Sequence, residues 1–271
     1  MPEYFKLDKV ISQGVIYETP PDRGYIIEAV GTNASGPVKL LVDGAPVAVI
    51  DVTLSNIAKT GGNLYGPIEL GDYYVVIPPN TKFSVDGPSG AKVRIKGKIV
   101  HLLPGEGFPA DLKARYAEQT KKYVTYIDGS YTFSAGANWS AGQEITLVEL
   151  TPKTIEKYRL DDRIGVSISG LSASLDSGQV GIRFYLDGKP LDMLTENAGH
   201  YGLDAYVMPL PPSSTGVYQP YLLKDIPIEV LGDHTLKITA INVSGSNLAA
   251  ASSTTSITVT LKAIAKYERT S

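Results

Sequence analysis

The sequence lacks cysteine altogether and contains a single tryptophan. The absence of cysteine excludes disulfide bonds and thiolate metal sites, so stability must come from packed apolar cores. No apolar run approaches the ~18 residues of a membrane-spanning helix. The first residues, Met1–Lys9, include acids and lack the apolar centre of a secretory signal, so we expect folding in the cytoplasm. With 271 residues, the chain is long enough for two domains that each bury their own core.

An excess of basic residues is also missing, since the formal net charge is −3. Proteins that bind nucleic acid generally carry a basic face that neutralises phosphates, so we expect no nucleic-acid partner. The three histidines, His101, His200 and His234, are too far apart in sequence for a zinc motif. The net charge therefore argues against a nucleic-acid-binding protein, and the spacing of the histidines argues against a zinc enzyme.

Catalytic motifs are equally scarce. The segment Gly165–Ser169 approaches a nucleophile elbow, but it ends in serine and no helix is predicted after it. No glycine-rich loop follows a strand and opens a helix, as phosphate binding would require. We therefore predict no catalytic residue, no cofactor-binding residue and no enzymatic activity. A carbohydrate-active hydrolase on a β-scaffold would need two facing carboxylates, which a linear sequence does not reveal.

Acidic residues leave one metal hypothesis open. Calcium takes clustered oxygen ligands, and a calcium site at one end of a β-sandwich could use loop acids. The candidates are Asp161, Asp162, Asp187, Asp192 and Asp204. No spaced aspartate pattern of the EF-hand type is present, so the main prediction is that the protein has no cofactor and no metal.

Short alternating strands separated by glycine, proline, asparagine and aspartate fill residues 1–105, which we predict to be the first domain. The predicted strands are Tyr25–Val30, Val38–Val42, Val47–Leu54, Tyr73–Ile77, Lys82–Val85 and Lys92–Leu102. Asp43-Gly44 has the composition of a two-residue hairpin turn. Alternation in Val93–Ile99 predicts an apolar face turned inward and a basic face turned outward.

Residues 106–123 break this pattern, and we predict a helical linker there. Leu112, Tyr116 and Tyr123 would share one helix face, and Pro109 suits a first helical turn. Favourable pairs of opposite charge at i,i+4 spacing add only ~0.3 kcal/mol each, so packing of the tyrosine face must stabilise the helix.

Strand patterns return in residues 124–271, the predicted second domain. Its strands are Tyr126–Phe133, Glu144–Leu150, Ile164–Ile168, Val180–Leu186, Ile226–Val230, Thr235–Val243 and Ile257–Ala263. A long loop at residues 193–223 is rich in proline and tyrosine. Loops of this length are generally functional or disordered, and tyrosines give contact area at low entropic cost, so its tyrosines are candidate contact residues. They are Tyr201, Tyr206, Tyr218 and Tyr221. An inter-sheet crossover packed by its own tyrosines is an equal alternative.

Two further patterns are open to more than one interpretation. Asp43-Gly44 and Asp187-Gly188 follow similar segments, which is typical of either a duplicated β-domain or ordinary hairpin chemistry. Sequons occur at Asn33, Asn138 and Asn242, and we interpret them as chance occurrences in a serine-rich chain.

The C-terminal half resembles an immunoglobulin-like β-sandwich of the kind found in bacterial and archaeal surface proteins and in viral proteins. The resemblance lies in Val180–Gly188 and Gly232–Ala240, where a strand ends in Phe-Tyr-Leu-Asp-Gly and another opens with Gly-Asp-His-Thr-Leu. The N-terminal half resembles, through its many short strands and its Pro78-Pro79-Asn80 turn, the jelly-roll domains of icosahedral virus coat, penton and turret proteins. The predicted fold class is therefore all-β, with two tandem β-sandwich domains, jelly-roll-like and immunoglobulin-like, joined by one short helix.

The resemblances imply a structural virion protein, either a vertex component (penton base, turret or spike) or a coat subunit. Its partners would be copies of itself and other capsid proteins, and it would reside in the virion after assembly in the host cytoplasm. The alternative is a cell-surface or adhesion module that binds a glycan or protein ligand on a host surface through loops at one sandwich end. Export would be required for that alternative.

Overall fold

The structure is a computed structural model that describes residues 2–58, 66–175, 179–191, 221–222 and 227–270. It divides into two compact units, Met1–Tyr126 with Lys266–Thr270, and Ile127–Ala265. Within the described ranges, strands dominate and one α-helix occurs, which confirms the predicted all-β fold class. None of the helical segments in these ranges has the length and apolar character needed to cross a membrane.

The strands of the first unit begin almost at the N-terminus. They are β1 (Glu3–Ser12), β2 (Ile16–Glu18), β3 (Arg23–Thr32), β4 (Val38–Val42), β5 (Ala45–Ile50), β6 (Ile68–Glu69), β7 (Val75–Ile77), β8 (Lys82–Asp86) and β9 (Lys92–His101). A 3₁₀ turn at Gly71–Tyr73 precedes β7, and helix α1 (Ala110–Glu118) follows β9. Two further strands, β10 (Lys122–Thr132) and β19 (Thr258–Arg269), have residues in both units.

These strands form two sheets with the strand order of a jelly roll. One sheet has the order β1-β9-β3, with β6 and β7 both paired to the far side of β3. The other contains the order β2-β8-β4-β5. If the strands are lettered B to I along the chain, with β6 and β7 as one interrupted strand, the orders are B-I-D-G and C-H-E-F, as in a jelly roll. The jelly-roll prediction for the N-terminal half is therefore confirmed.

Alternation along strands such as β9 and β1 explains why these segments form a sandwich. In β9, Val93 and Ile95 are fully buried while their neighbours Arg94 and Lys96 face outward. In β1, Leu7 and Ile11 are buried with Asp8 exposed between them. A period of two places one set of side chains in the core and the other on the surface.

Helix α1 is packed against the first unit. Leu112 and Phe108 form a small apolar cluster with Val76 of β7 and Val100 of β9. The Tyr116 hydroxyl donates a hydrogen bond to Asp43 in the β4–β5 turn, at 2.5 Å. The segment 106–123, predicted from sequence as a linker, thus lies within the first unit, which extends to Tyr126.

The second unit is built from the remaining strands. They are β11 (Glu144–Leu150), β12 (Glu156–Leu160), β13 (Arg163–Ser169), β14 (Val180–Leu186), β15 (Lys189–Pro190), β16 (Tyr221–Leu222), β17 (Ile228–Val230) and β18 (Leu236–Asn242), together with parts of β10 and β19. Its core centres on Trp139, Phe184, Leu236 and Val259, all fully buried.

The strand order of the second unit is also that of a jelly roll. One sheet has the order β11-β18-β14-β15, and the other contains β10-β19-β13-β16, with β12 paired to β17 and β19. With β12 and β13 as one interrupted strand and β16 and β17 as another, the orders are again C-H-E-F and B-I-D-G.

The immunoglobulin-like order predicted for this half is therefore wrong in detail, although the predicted sandwich is correct. In an immunoglobulin sandwich the last two strands are neighbours in one sheet. Here β18 and β19 belong to different sheets. The residues that carried the resemblance specify a hairpin and a strand start, which both kinds of sandwich contain, and they carry no information about which distant strands pair.

The two Asp-Gly turns occupy equivalent positions in the two units. Asp43 and Gly44 have φ values of 48° and 80°, and Asp187 and Gly188 have 50° and 77°. Positive φ at both central residues defines the type I′ turn, which Asp-Gly favours. Each turn connects strands E and F of its jelly roll, β4 to β5 and β14 to β15. The repeat noticed in the sequence therefore corresponds to the same hairpin of the same topology.

The Asp187 turn supports a prediction about pH. The Asp187 carboxylate contacts His234 Nδ1 at 2.6 Å and accepts the Thr235 N–H at 2.8 Å. These hydrogen bonds, the one to His234 foremost, hold the pKa of Asp187 below its usual range. A lowered folded-state pKa stabilises the fold above the unfolded value of about 3.9, and this contribution disappears as pH falls through the folded value.

Replacing Asp187 with asparagine should therefore reduce stability near neutral pH, and the difference from the parent protein should shrink as the pH falls below about 4. Asparagine keeps the turn because it also tolerates positive φ. Urea unfolding across a pH series measures the difference. A difference that does not shrink as the pH is lowered through the acid range would contradict the assignment.

Candidate interaction surface

Exposed apolar side chains concentrate at the start of the chain. Among the large apolar residues that the described structure exposes, five lie between positions 4 and 16 and four lie elsewhere. The five are Tyr4, Phe5, Val10, Val15 and Ile16, with exposed fractions from 44% for Val15 to 73% for Ile16. Exposed apolar residues are ordinary when scattered, but a cluster marks an interaction surface.

The cluster lies on strands β1 and β2 and on the turn between them, which holds Val15; we call this border of the first unit the β1–β2 edge. Strand β1 is the outermost strand of its sheet and pairs with β9 along ten residues, from Glu3–His101 to Ser12–Lys92. Strand β2 is the outermost strand of the other sheet and pairs with β8. Within the ranges that the structure covers, no strand pairs with the outer side of either.

Backbone groups of alternate β1 residues therefore face outward. The Gln13 N–H donates to the Ala91 carbonyl at 2.8 Å, so residues of odd number turn their N–H and C=O groups toward β9. The N–H of Ser12 points the other way and donates to the Tyr17 hydroxyl at 3.2 Å. By the same alternation, Tyr4, Lys6, Asp8 and Val10 present their backbone groups to the open side.

The opposite border of the same sheet is closed by α1 and the residue after it. The Val76 N–H in β7 donates to Gln119 Oε1 at 2.9 Å, and Arg115 Nε donates to the Tyr74 carbonyl at 2.8 Å. Gln119 and Arg115 are both buried. Proteins commonly cover or charge the edges of their sheets to prevent unwanted pairing. One border of this sheet has such a cover, whereas the ten-residue β1 border has none among the described residues.

Two charged residues, Lys6 and Asp8, lie between Tyr4 and Val10 on the outer face of β1. Asp8 accepts two hydrogen bonds from Arg94 of β9, from Nε and Nη2, both at 2.8 Å. The hydrogen bond to Arg94 is the main cause that holds the pKa of Asp8 below its usual range. Lys6 lies two residues away and is paired in register with Lys98, whose ammonium binds Glu28 at 2.8 Å. The carboxylate of Asp8 is thus charged and held in a fixed orientation near neutral pH.

A cleft of about 540 Å³ lies beside one end of β1 and is lined by residues around His101, Asp22 and Glu106. His101 Nε2 lies 3.3 Å from Asp22 Oδ2, and its Nδ1 lies 3.6 Å from Glu3 Oε2. The ring of Phe5 meets the imidazole edge to face, with the ring centres 6.0 Å apart.

The predicted contact loop is mostly outside the described residues. Tyr201, Tyr206 and Tyr218 lie there, as does His200. Tyr221 belongs to β16, where its backbone pairs with Ile164 of β13. The contact role of the four tyrosines therefore stays a prediction.

The acids proposed for calcium are separated or paired with basic groups. Asp161 lies 3.0 Å from Arg159 Nε, and Asp162 accepts the N–H of Arg163 at 2.8 Å. Asp192 and Asp204 lie outside the described residues. In the part of the chain that the structure covers, no three His, Asp or Glu side chains are grouped to hold a metal ion. The calcium hypothesis stays a prediction.

The three sequons differ in accessibility. Asn33 and Asn138 are exposed. Asn242 is fully buried, and its amide donates to the carbonyls of Trp139 and Ser246 at 2.9 and 2.8 Å. Asn242 in the folded protein is a structural residue that ties two loops together, so no glycan can be attached to it there.

The β1–β2 edge was not predicted from the sequence, where Met1–Lys9 was interpreted only as lacking a secretory signal. The available signal was the period of two in Phe5, Leu7 and Ile11, with charged residues between them. What the sequence could not show is that this strand occupies a sheet border, because that depends on which distant strands pair.

Comparisons with known proteins give no family. No protein-family model matches the sequence, and no curated protein does. Among solved structures, the chain is similar to the major capsid protein P2 from bacteriophage PM2, with 14% identity, a TM-score of 0.27, and 95% of this chain and 98% of that chain covered.

Two further structures show likenesses of the same order. An infectious bursal disease virus Gt strain structure has 11% identity and a TM-score of 0.27, with 100% of this chain and 78% of that chain covered. A family 35 carbohydrate binding module from Clostridium thermocellum has 10% identity and a TM-score of 0.26, with 49% and 90% covered. Likenesses this distant carry no argument about fold or function, so the fold assignment rests on the strand order.

Proposed function

We propose that this chain is a non-enzymatic structural protein that acts by self-assembly, as a component of a viral capsid. Both units have the jelly-roll strand order. Jelly rolls occur in viral capsid domains and also in lectins and cupins, so the fold supports the proposal by analogy. The proposed partners are copies of this chain and other capsid proteins, and the proposed location is the virion.

The observation that carries the proposal is the β1–β2 edge. It combines unpaired backbone groups with five exposed apolar side chains, from Tyr4 to Ile16. Such an edge in a soluble monomer is an aggregation hazard, whereas in an assembling subunit it is an interface. Because the β7 border of the same sheet is covered by Arg115 and Gln119, the open border is a specific feature of β1.

The direct test is the assembly state of the purified full chain. Light scattering and electron microscopy across a wide range of concentration should show oligomers that grow into regular shells or sheets. A chain that remains monomeric at every concentration and ionic strength would overturn the proposal.

A matched pair of variants locates the interface. Replacing Ile16 with aspartate, at the most exposed apolar position of the β1–β2 edge, should suppress the assembly, because a charge then replaces buried apolar contact. Replacing Ile155, which is 40% exposed in the second unit, with aspartate is the control and should leave assembly unchanged. Equal loss in both variants would show that the β1–β2 edge is not the specific contact.

The His101 cleft favours a second candidate, a surface module that binds a glycan. It combines the polar groups of Asp22 and Glu106 with Leu103, which is 40% exposed. A glycan array probed with the monomeric Ile16→Asp variant tests it. Binding that is lost on Asp22→Ala would favour the glycan-binding module, and failure to bind any glycan would count against it.

A further inference from the structure

We infer that β1 pairs with β1 of a second copy of this chain, in antiparallel orientation, about a two-fold axis that passes beside Leu7. The inference rests on the proposed self-assembly and names its partner and register. Two sheets would then join through their open borders, as in β-strand addition. The contact would be isologous, because the same strand serves both copies.

The backbone of β1 allows this pairing without rearrangement. Tyr4, Lys6, Asp8 and Val10 present their N–H and C=O groups outward, as the Gln13 and Ser12 hydrogen bonds establish. In an antiparallel pair about Leu7, Lys6 stands opposite Asp8 of the second copy, and Tyr4 stands opposite Val10. Each is a pair of outward-facing residues, so each forms the doubly hydrogen-bonded type of antiparallel pair.

Charge selects this register over its neighbours. A shift that centres the pair on Lys6 places two lysines opposite each other, and a shift that centres it on Asp8 places two aspartates opposite each other. Like charges directly opposite destabilise a sheet, and opposite charges stabilise it. Only the Leu7-centred register among these three gives two Lys6–Asp8 pairs and two Tyr4–Val10 pairs.

Neighbouring side chains on β9 strengthen the charge argument. Arg94 fixes the orientation of Asp8 through two hydrogen bonds of 2.8 Å but belongs to the same copy. Lys6 lies beside Lys98 in the sheet. Lys98 is paired with Glu28 of the same copy at 2.8 Å, so Lys6 is the cation that an incoming Asp8 meets, and the same holds for the second copy.

The register can be tested with single thiols, because the chain has no cysteine of its own. Tyr4→Cys and Val10→Cys replace residues that are 53% and 46% exposed, so both variants should fold. In the proposed pair, position 4 lies directly opposite position 10, at the ~5.5 Å between Cα atoms that a disulfide spans.

Mixing the two variants under mild oxidation should give a cross-linked dimer, while each variant alone should give little. In each variant alone the introduced thiols lie about 20 Å apart, six residues along the strand. Cross-linking of the Tyr4→Cys variant with itself would indicate a parallel or shifted pair and would overturn the inference. Failure of the mixture to cross-link would overturn it too.

Charge reversal gives an independent test. Lys6→Glu places glutamate opposite Asp8, and Asp8→Lys places lysine opposite Lys6, so each variant should weaken its own pairing about tenfold. In a dimer of one copy of each variant, the introduced glutamate faces the introduced lysine, and the remaining Asp8 faces the remaining Lys6. The affinity between copies in an equimolar mixture should therefore return to near that of the parent chain. Sedimentation equilibrium measures each case. A mixture no better than its components would count against the register.

The two proposals can fail separately. If the parent chain assembles but the thiol mixture does not cross-link, the β1 pairing is wrong and self-assembly stands. If the parent chain is monomeric and no mixture cross-links, both are wrong. If the mixture cross-links to a dimer and no larger assembly forms, the pairing is supported and the capsid role is not.

Discussion

Replacing Trp139 with alanine is expected to lower the free energy of unfolding of the second unit by about 3–5 kcal/mol, the cost typical of removing a buried tryptophan. The side chain is fully buried at the centre of that unit. Its Nε1–H donates to the Gln143 carbonyl at 2.8 Å, and its ring packs beside Phe133 with 5.9 Å between ring centres. The backbone of Trp139 also pairs with Leu248 in both directions at 2.9 Å.

The measurement is denaturant unfolding followed by circular dichroism. Fluorescence serves for the parent protein, where the single tryptophan reports on the second unit alone. Tyr131→Ala is a suitable control, because Tyr131 contacts the same Phe133 ring but is 39% exposed. Its cost should be clearly smaller. A loss of less than about 1 kcal/mol in Trp139→Ala would mean that the residue is not the core of this unit.

The second large effect is expected at Arg115, whose replacement by methionine should cost about 3 kcal/mol, since two backbone carbonyls each lose a charged donor. Arg115 Nε donates a hydrogen bond to the backbone carbonyl of Tyr74, and Nη2 donates one to the backbone carbonyl of Lys122, both at 2.8 Å. Burial lowers the pKa of the guanidinium. Methionine keeps the length and the helix propensity of the side chain, so the loss reports the hydrogen bonds.

Lys113→Met is the matched control, because Lys113 lies exposed on the same helix and the substitution is chemically similar. It should change the stability by no more than about 0.5 kcal/mol. Arg115→Met should also increase aggregation, since it uncovers part of the β7 border. Equal stability of the two variants would show that α1 does not close this edge.

Local chemistry made several elements predictable. Both Asp-Gly turns adopt the positive φ values that this dipeptide favours. The alternation in Val93–Ile99 places Val93 and Ile95 in the core. The helix predicted from Leu112, Tyr116 and Tyr123 forms at Ala110–Glu118, but it ends before Tyr123, which lies in β10, so that part of the prediction was wrong. In each case the sequence pattern lies within a few residues of the turn, strand or helix that it specifies.

Sequence patterns did not predict the features of the fold that depend on pairing between residues far apart in the chain. The motif at Gly232–Ala240 is correct as a strand start, yet it gave no indication that β18 pairs with β11 and β14. Short strands such as β6 and β16 have too few residues to show a period. The sequence alone assigns no role to Lys6 and Asp8, because their role depends on the position of β1 at a sheet border.

The amino-acid sequence by itself determined an all-β chain, its turns, most of its longer strands and one helix, because these follow from dihedral preferences and the two-residue period. The tertiary structure decided which strands pair, that both units are jelly rolls, that α1 seals one border and that β1 leaves the other open. Strand pairing is chosen by packing between residues far apart in the chain, and only the folded molecule brings those residues together.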